Sequence, residues 1–289
     1  VASSIDLIDS QTDFISRSFI NNSSLSWRIE GPFDSNYSLS ILNRCFVCAF
    51  KKIHNDTSIH ITEGPGDYVP DVEFLKQYPD IYKLYQDSLV IKNPATVTSR
   101  NLYPPRVEDL KSRINLLHSY GWEESEFPQE WVEDFNHNLQ GLSVMSSQVK
   151  KILIDNGVRI PIFVSGLGAD HLKNQKNSNN YTLTAKKFKF LHLSSCFPRK
   201  GIDILFRAYG EAFDNSDDVS LIIKTFNNPH NDIEKILKDE MSRNPRYPDV
   251  IIIKEDLNND EIKTLYQISD LWIAPSRGER FGIPNAEAM

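Results

Sequence analysis

The chain has no long hydrophobic run and few cysteines. Its 289 residues include three cysteines, Cys45, Cys48 and Cys196, and no segment holds the roughly 18 consecutive apolar residues of a membrane-spanning helix. We expect no membrane span and recognise no signal peptide, while a peripheral membrane contact stays open. An odd cysteine count without a disulfide framework favours a reducing, cytoplasmic compartment. We interpret Cys45 and Cys48 as core residues of a buried helix over 41–50 rather than as a redox or metal pair.

The sequence also lacks an excess of positive charge. Its 32 Lys and Arg face 39 Asp and Glu, which gives a net charge of −7. Proteins that bind nucleic acid generally carry a basic balance. Nucleic acid is therefore not an expected partner, although a local basic pocket for a small anion is compatible with this balance.

Short apolar segments alternate with helical patterns along most of the chain. The strands are predicted over residues 27–30, 58–62, 89–91, 113–120, 141–145, 160–164, 188–193, 219–224, 250–253 and 271–274. The helices are predicted over residues 37–52, 72–85, 128–139, 147–156, 202–213, 233–243 and 260–269. This alternation predicts an α/β fold with parallel, doubly wound sheets. The Asn-rich segment 173–185 is the best linker candidate, and we place the domains at 1–180 and 181–289.

The last fifteen residues carry the strongest functional pattern. Glu279 and Glu287 flank a turn that follows the apolar strand over 271–274. A strand, a glycine-containing loop and a helix start can direct backbone N–H groups towards an anion. Pro284 is expected to begin the helix. The amides expected near its positive end are those of Phe281, Gly282 and Ile283.

A second loop, after the strand over 188–193, offers hydroxyl groups and cations. It contains Ser195, Arg199 and Lys200, followed by Gly201, and this set suits a phosphate group. Ligands of open α/β sheets bind at the carboxyl ends of the strands, so a diphosphate would fit between this loop and the terminal segment. Taken alone, Arg199 and Lys200 also suit an ordinary solvated helix start.

These segments resemble a known family. Residues 197–205, residues 265–276 and the Glu279-x7-Glu287 spacing are similar to the donor-binding half of GT-B glycosyltransferases, most of all to glycosyltransferase family 4, the glycosyl transferases group 1. The resemblance covers nearly all of 186–289 and is weaker over 25–172. It implies two Rossmann-like domains facing across a cleft, the first binding the acceptor and the second incomplete. It also implies transfer of a sugar, with retention, from a nucleotide-diphosphate sugar to a glycan, a lipid-linked or another cell-surface acceptor.

The resemblance suggests roles for single residues. It implies that Glu279 meets the donor sugar, Glu287 the ribose and Lys200 the diphosphate. A histidine of the first domain often approaches the donor sugar in such enzymes, and His118 is the candidate. The alternative for His118 is a hydrogen-bonded packing residue beside Trp122. The acceptor-side candidates are Gly31, Ser35, Trp122 and Glu124.

The chain departs from the family pattern at two positions of the donor site. Arg280 stands where the family has Gly after the first Glu, and Ser195 stands where it has Arg. We hypothesise that Arg199 or Arg280 supplies the missing cation. Since the chain has no Asp-x-Asp pair and no cluster of His and Cys, we expect neither a metal nor a cofactor.

Two further expectations concern the whole chain. The family's second domain continues beyond this point, so we expect a longer, multidomain or truncated protein. The alternative function is a non-catalytic nucleotide-sugar-binding or assembly module of a larger glycan-synthesis protein. Epimerase and phosphorylase activities, within the same fold, have no signature in the sequence.

Overall fold

The computed structural model describes residues 25–168, 172, 181–228 and 231–289. The chain divides into two compact units, residues 1–167 and 168–289. The domain boundary is expected at residue 180, and residues 173–180 lie outside the described residues. This boundary therefore stays a prediction. Residues 168–170 resemble the loop that ends the first domain of the family named above, and the structure describes only Gly168 of them.

The first unit is built on a six-stranded sheet with the order β2-β1-β3-β4-β5-β6. Its strands are β1 (Trp27–Gly31), β2 (Thr57–Ile61), β3 (Val97–Arg100), β4 (Ile114–Tyr120), β5 (Gly141–Val144) and β6 (Ile162–Val164). All neighbouring strands are parallel. The residues that follow each strand therefore gather at one edge of the sheet, which is where open α/β sheets bind ligands.

Helices connect these strands. In the described residues they are α1 (Ser38–Lys51), α2 (Val72–Leu75), α3 (Pro79–Leu89), α4 (Gln129–Asn138) and α5 (Ser147–Asp155). Ser146 caps α5, because its hydroxyl accepts a hydrogen bond from the Val149 amide at 3.3 Å. Such a cap satisfies one of the amides that the first helical turn leaves unpaired.

The structure corrects two sequence predictions in this unit and adds one strand. The strand expected over 89–91 is wrong, since Leu89 ends α3 and Val90 is 76% exposed. A short apolar run cannot by itself distinguish a strand from a helix end. The helix expected over 72–85 is two helices, the second beginning at Pro79, a residue that favours a first turn. Strand β3 was not predicted at all.

The interpretation of Cys45 and Cys48 as core residues is also wrong. Both thiols are exposed and neither forms a disulfide, whereas Leu42 and Val47 of the same helix are buried. Positions three apart on a helix lie side by side, so the two cysteines share the outer face of α1.

The second unit contains a four-stranded parallel sheet with the order β10-β7-β8-β9. Its strands are β7 (Phe188–Leu193), β8 (Val219–Lys224), β9 (Asp249–Ile253) and β10 (Leu271–Trp272). Its helices, in the described residues, are α6 (Ile202–Ala212), α7 (Ile233–Arg243), α8 (Asn259–Ile268) and α9 (Ile283–Glu287). No helix in the described parts of the chain is long and apolar enough to cross a membrane.

Strand β8 shows that helices cover both faces of this second sheet. Leu221 and Ile223 pack in one cluster with Phe206 of α6. Ile222, between them, packs in another cluster with Leu265 of α8. Successive side chains of a strand point to opposite faces, so a strand that is apolar throughout is buried on both sides. The predicted α/β architecture with parallel sheets is confirmed.

Candidate functional site

Two loops of the second unit leave neighbouring strands at the same edge of the sheet. The β7 loop (residues 194–201) follows β7, and the β10 loop (residues 273–282) follows β10. The two strands are parallel, with Trp272 opposite Leu191, and the Ile273 amide donates to the Leu191 carbonyl at 2.9 Å. The loops therefore begin side by side.

Gly201 allows the two loops to touch. Its φ is +71°, and a Cβ at this position would lie 2.2 Å from the carbonyl oxygen of Pro275. Only glycine combines this backbone conformation with so close an approach. Next to it, the Arg277 amide donates to the Arg199 carbonyl at 2.7 Å, which joins the loops through their backbones.

The contact between the loops places Lys200 against Glu279. The ammonium Nζ lies 2.5 Å from Glu279 Oε1, and the side chains are 11% and 26% exposed. Ser276 donates to the same carboxylate oxygen at 2.8 Å. The guanidinium of Arg199 lies 3.9 Å from Oε2. The structure thus brings together Glu279, Lys200 and Arg199, three residues singled out from the sequence on two different loops.

Arg277 fixes the β10 loop to the first turn of α6. Its guanidinium donates to both carboxylate oxygens of Asp203, at 2.9 and 2.7 Å, and to the Pro198 carbonyl at 2.5 Å. The hydrogen bond from Arg277 lowers the pKa of Asp203. Bidentate Arg–carboxylate pairs define geometry as well as adding energy, so this pair holds the two loops in one arrangement.

Glu287 is held from α8. The Tyr266 hydroxyl donates to Glu287 Oε2 at 2.8 Å, and burial, followed by the nearby carboxylate, raises the pKa of Tyr266. Helix α9 begins at Ile283, one residue before the expected start at Pro284, with Gly282 as its N-cap at φ +76°. Phe281 and Ile283 are half-buried beside this cap.

The two positions that depart from the family pattern lie in different surroundings. The Ser195 carbonyl accepts a hydrogen bond from the Asn231 side chain at 2.6 Å, which anchors the middle of the β7 loop. Arg280 is half-buried in the β10 loop. Arg199 and Arg280 are the two arginines proposed to supply the cation that the family has at the position of Ser195. Arg199 lies near Glu279, with its guanidinium 3.9 Å from Oε2.

Sequence reasoning missed Ser276, Tyr266 and His192. The hydroxyl of Ser276 was a usable signal, because Ser276 stands only three residues before Glu279 in the same loop. Tyr266 and His192 carry no such signal, because Tyr266 contacts Glu287 on another helix and His192 contacts the Ile273 carbonyl after another strand.

In the first unit, His118 lies fully buried near the end of β4. Its Nδ1 is 2.9 Å from the Ser99 hydroxyl and its Nε2 is 3.0 Å from Asn43 Oδ1. The ring stacks on Phe46 at 4.2 Å. Burial lowers the pKa of His118 to about 3. These contacts match the packing alternative, except that the aromatic neighbour is Phe46 and not Trp122; a catalytic role for His118 stays a prediction.

Gly31 is the last residue of β1, and Ser35 lies in the loop between β1 and α1. Gly31 has φ +149°, and a Cβ there would lie 2.3 Å from the Asn101 carbonyl oxygen. The Ser35 carbonyl accepts a hydrogen bond from Arg44 at 2.7 Å. Asn43 donates to the Pro32 carbonyl at 3.0 Å and also contacts His118, so α1 links this loop to the end of β4.

Trp122 and Glu124 lie in the loop after β4. Trp122 packs edge-on against Phe127 and Trp131, with ring centroids 5.1 and 5.6 Å apart, and its indole N–H donates to the Glu126 carbonyl at 2.7 Å. Glu124 is exposed. The acceptor-side role of both residues stays a prediction.

Comparison with known proteins finds a family match for the second unit. Residues 173–289 match the family model described as glycosyl transferases group 1, and all the residues predicted for the donor side lie inside this match. No curated protein matches the chain.

Solved glycosyltransferase structures share the fold. A glycosyltransferase from Rickettsia africae ESF-5 is 16% identical, with 87% of this chain and 73% of that one covered and a TM-score of 0.56. The E. coli trehalose-6-phosphate structure bound with UDP-2-fluoro glucose is 10% identical over 90% and 81% of the two chains, with a TM-score of 0.56. The lipopolysaccharide outer core galactosyltransferase WaaB, in its apo form, is 11% identical over 91% and 77%, with a TM-score of 0.54. The likeness confirms the predicted GT-B fold class, and assignment to family 4 stays a prediction.

Proposed function

We propose that the second unit binds a nucleotide-diphosphate sugar and that the protein transfers this sugar, with retention, to an acceptor bound by the first unit. The observation that carries the proposal is the contact between Lys200 and Glu279, 2.5 Å apart, on two loops at the carboxyl edge of the sheet. This contact lies within the segment that matches glycosyl transferases group 1.

The chemistry of sugar transfer suits these side chains. Breaking the bond to the donor sugar builds negative charge on the leaving diphosphate and oxocarbenium character on the sugar. Lys200 and Arg199 would stabilise the diphosphate, and such preorganised electrostatic stabilisation usually contributes most to catalysis. The carboxylates of Glu279 and Glu287 can only accept hydrogen bonds, which suits the sugar and ribose hydroxyls. In this proposal no metal and no cofactor takes part.

The acceptor is proposed to be a glycan or a lipid-linked saccharide, in a cytoplasmic step of polysaccharide biosynthesis. Support comes from the fold shared with WaaB, which is described as a lipopolysaccharide outer core galactosyltransferase. In the first unit, the candidate groups are the loop of Gly31 and Ser35, and the loop of Trp122 and Glu124.

A ligand panel tests the donor site. Thermal unfolding is followed with UDP, GDP and dTDP sugars, because a ligand that binds only the folded state raises the melting temperature. We expect one nucleotide to raise it, and Lys200→Met to weaken that nucleotide about tenfold to a hundredfold, since a hydrogen bond to a charged group is worth about 1.5–3 kcal/mol. Lys187→Met, which removes an exposed lysine of the same unit, is the control and should bind as the wild type does.

Turnover and stereochemistry test the remaining part of the proposal. Hydrolysis or transfer by the panel member that binds is followed by NMR, and retention predicts that the first product keeps the donor's anomeric configuration. Inversion would contradict the proposed mechanism. Absence of any thermal shift across the panel would contradict the donor site itself.

A non-catalytic nucleotide-sugar-binding module is the second candidate. It is favoured by Arg280, a long cation beside Glu279 where the resembled family has Gly. Binding without turnover by the whole protein would favour this module. Arg280→Gly is expected to lower donor affinity if Arg280 supplies the missing cation, and unchanged affinity would exclude that role.

A further inference from the structure

His192 lies beneath the two loops and has no part in the function proposed above. It is the penultimate residue of β7 and is 1% exposed. Its Nδ1 is 2.9 Å from the Ile273 carbonyl oxygen, and its Nε2 is 2.8 Å from the Ser194 hydroxyl. Ile273 is the first residue of the β10 loop and Ser194 the first of the β7 loop, so one imidazole contacts the origin of both.

The partners of His192 determine its protonation. A carbonyl oxygen only accepts, so Nδ1 carries the hydrogen. Nε2 must then accept the proton of the Ser194 hydroxyl. The other acceptor near this hydroxyl, Cys196 Sγ, is 3.7 Å away and is a weak one. Burial lowers the pKa of His192, which keeps the ring neutral.

The same serine holds a strained turn. Ser194 Oγ accepts a hydrogen bond from the Cys196 amide at 3.0 Å. Cys196 has φ +53°, in the left-handed region that residues with a side chain seldom adopt. Such conformations persist where the surroundings enforce them, and they are common at functional sites. The turn at Cys196 sets the direction of the β7 loop, which carries Lys200 near its end.

We propose that His192 is a positioning residue for the donor diphosphate, acting through a hydrogen-bond chain from Cys196 through Ser194 and His192 to Ile273. The chain ties the start of the β7 loop to the start of the β10 loop. It thereby holds Lys200 and Glu279 at the separation that the ligand meets. This inference rests on the proposed donor site and adds to it a residue that itself contacts no ligand.

Two substitutions distinguish the effect of losing the hydrogen bonds of His192 from the effect of changing the volume of its side chain. His192→Phe keeps a flat ring next to Trp272, whose ring centroid lies 6.2 Å away, and loses both bonds. His192→Gln places an amide oxygen where it can still accept from Ser194. Tyr247→Phe is the stability control, because it removes one buried hydrogen bond of the same unit, to the Phe206 carbonyl at 2.6 Å, far from either loop in sequence.

Calorimetry with UDP, GDP and dTDP on the whole protein measures the effect. For the nucleotide that the wild type binds, we expect His192→Phe to weaken affinity about fivefold to tenfold or more, the loss that one or two hydrogen bonds produce. His192→Gln should stay within about threefold of the wild type, and Tyr247→Phe should lower the melting temperature without changing affinity. A purely structural role predicts that His192→Phe and Tyr247→Phe behave alike. That outcome, or equal affinity of His192→Phe and the wild type, overturns the inference while leaving the donor site intact.

Imidazole nitrogen NMR supplies a readout that needs no nucleotide. The hydrogen-bond chain predicts a neutral His192 with the hydrogen on Nδ1 across the neutral pH range. The opposite tautomer, or titration near the ordinary histidine pKa of about 6.5, overturns the hydrogen-bond chain. If the wild type binds no nucleotide, the proposed function fails, and with it the role of His192 in ligand positioning.

Discussion

At the scale of single residues, two histidines show how burial sets the protonation of an imidazole. His118 and His192 are both buried, and each ring nitrogen has a hydrogen-bonding partner. Burial lowers the pKa of both. A general base works best with a pKa near the operating pH, so the surroundings of both residues favour a neutral imidazole that organises its neighbours.

The pKa of His118 predicts a pH-dependent stability. Its folded-state pKa of about 3 lies below the unfolded value of about 6.5, so the unfolded state binds the proton first as pH falls. The contribution is fully present above about pH 6.5 and is lost towards pH 3, by about 1.4 kcal/mol per pH unit. Urea unfolding at about pH 7 and about pH 5 should therefore show a smaller loss for His118→Gln than for the wild type.

The histidine spectrum provides the independent check on this prediction. The Cε1 proton of His118 should not titrate between about pH 8 and 5. A normal titration curve there, or identical pH dependence of the wild type and His118→Gln, would contradict the pKa assigned to the buried ring.

Gly201 gives a second residue-scale prediction. Gly201→Ala must accept both φ +71° and a Cβ 2.2 Å from the Pro275 carbonyl oxygen. Gly166→Ala is the matched control, since Gly166 has φ +67° but a methyl group there would meet nothing within 4 Å. We expect the control to lose about 1–2 kcal/mol of unfolding free energy from the backbone conformation alone. Gly201→Ala should lose about 3 kcal/mol or more, because overpacking adds to that cost.

Nucleotide affinity separates the two glycine variants further. Gly201→Ala should weaken the nucleotide that the wild type binds, because the backbone beside Lys200 has to move. Gly166→Ala should not. Equal stability losses in the two variants would mean that the contact between the loops is loose enough to yield.

At the scale of elements, the sequence predicts best those whose strand or helix pattern is sharply bounded. The bounds of β7, β8 and α7 are the predicted ones, because polar residues flank each pattern. Strand β3 could not be found this way. Its four residues, Val97–Arg100, include three polar ones that are all buried, and they are buried because β3 pairs with β1 and β4.

In the candidate site too, local patterns are visible in the sequence and contacts between distant residues are not. The Glu279-x7-Glu287 spacing and the cations before Gly201 are local patterns, so the sequence revealed them. Tyr266 contacts Glu287 and His192 contacts Ile273, residues distant in the chain that only folding brings together. The outward orientation of Cys45 and Cys48 was missed because cysteine is usually buried. In α1 the buried face instead carries Leu42 and Val47.

Helix α8 supplies the element-scale prediction. Asn258 and Glu261 form a reciprocal capping box, with hydrogen bonds of 3.0 and 2.8 Å, and α8 carries the Tyr266 that holds Glu287. Asn258→Ala should lower the stability of the second unit by about 1 kcal/mol, measured by urea unfolding. Asn258→Asp keeps an acceptor at the cap and should retain most of that stability. Equal losses in both variants would show that the side-chain acceptor at position 258 is not what stabilises α8.

At the scale of the whole molecule, charge separates the proposed ligand from larger anions. The chain carries a net charge of −7, yet the β7 and β10 loops, the proposed donor site, place Arg199 and Lys200 beside one carboxylate, Glu279. Long-range repulsion disfavours a polyanion that spreads over the acidic surface. A small diphosphate meets only the local cations, which are partly shielded from salt.

We therefore expect the protein to bind a nucleoside diphosphate at physiological salt and to bind neither duplex DNA nor single-stranded RNA under the same conditions. Calorimetry measures the first, and fluorescence anisotropy with labelled oligonucleotides measures the second. The nucleotide affinity should fall only modestly with added salt, because few ionic contacts are made, whereas a nucleic-acid binder loses orders of magnitude. Lys200→Met should weaken the salt dependence of the nucleotide affinity further, because it removes one ionic contact. Tight, strongly salt-dependent oligonucleotide binding would instead place a basic surface elsewhere on the molecule and contradict the assignment of the cations near Glu279 to a small ligand.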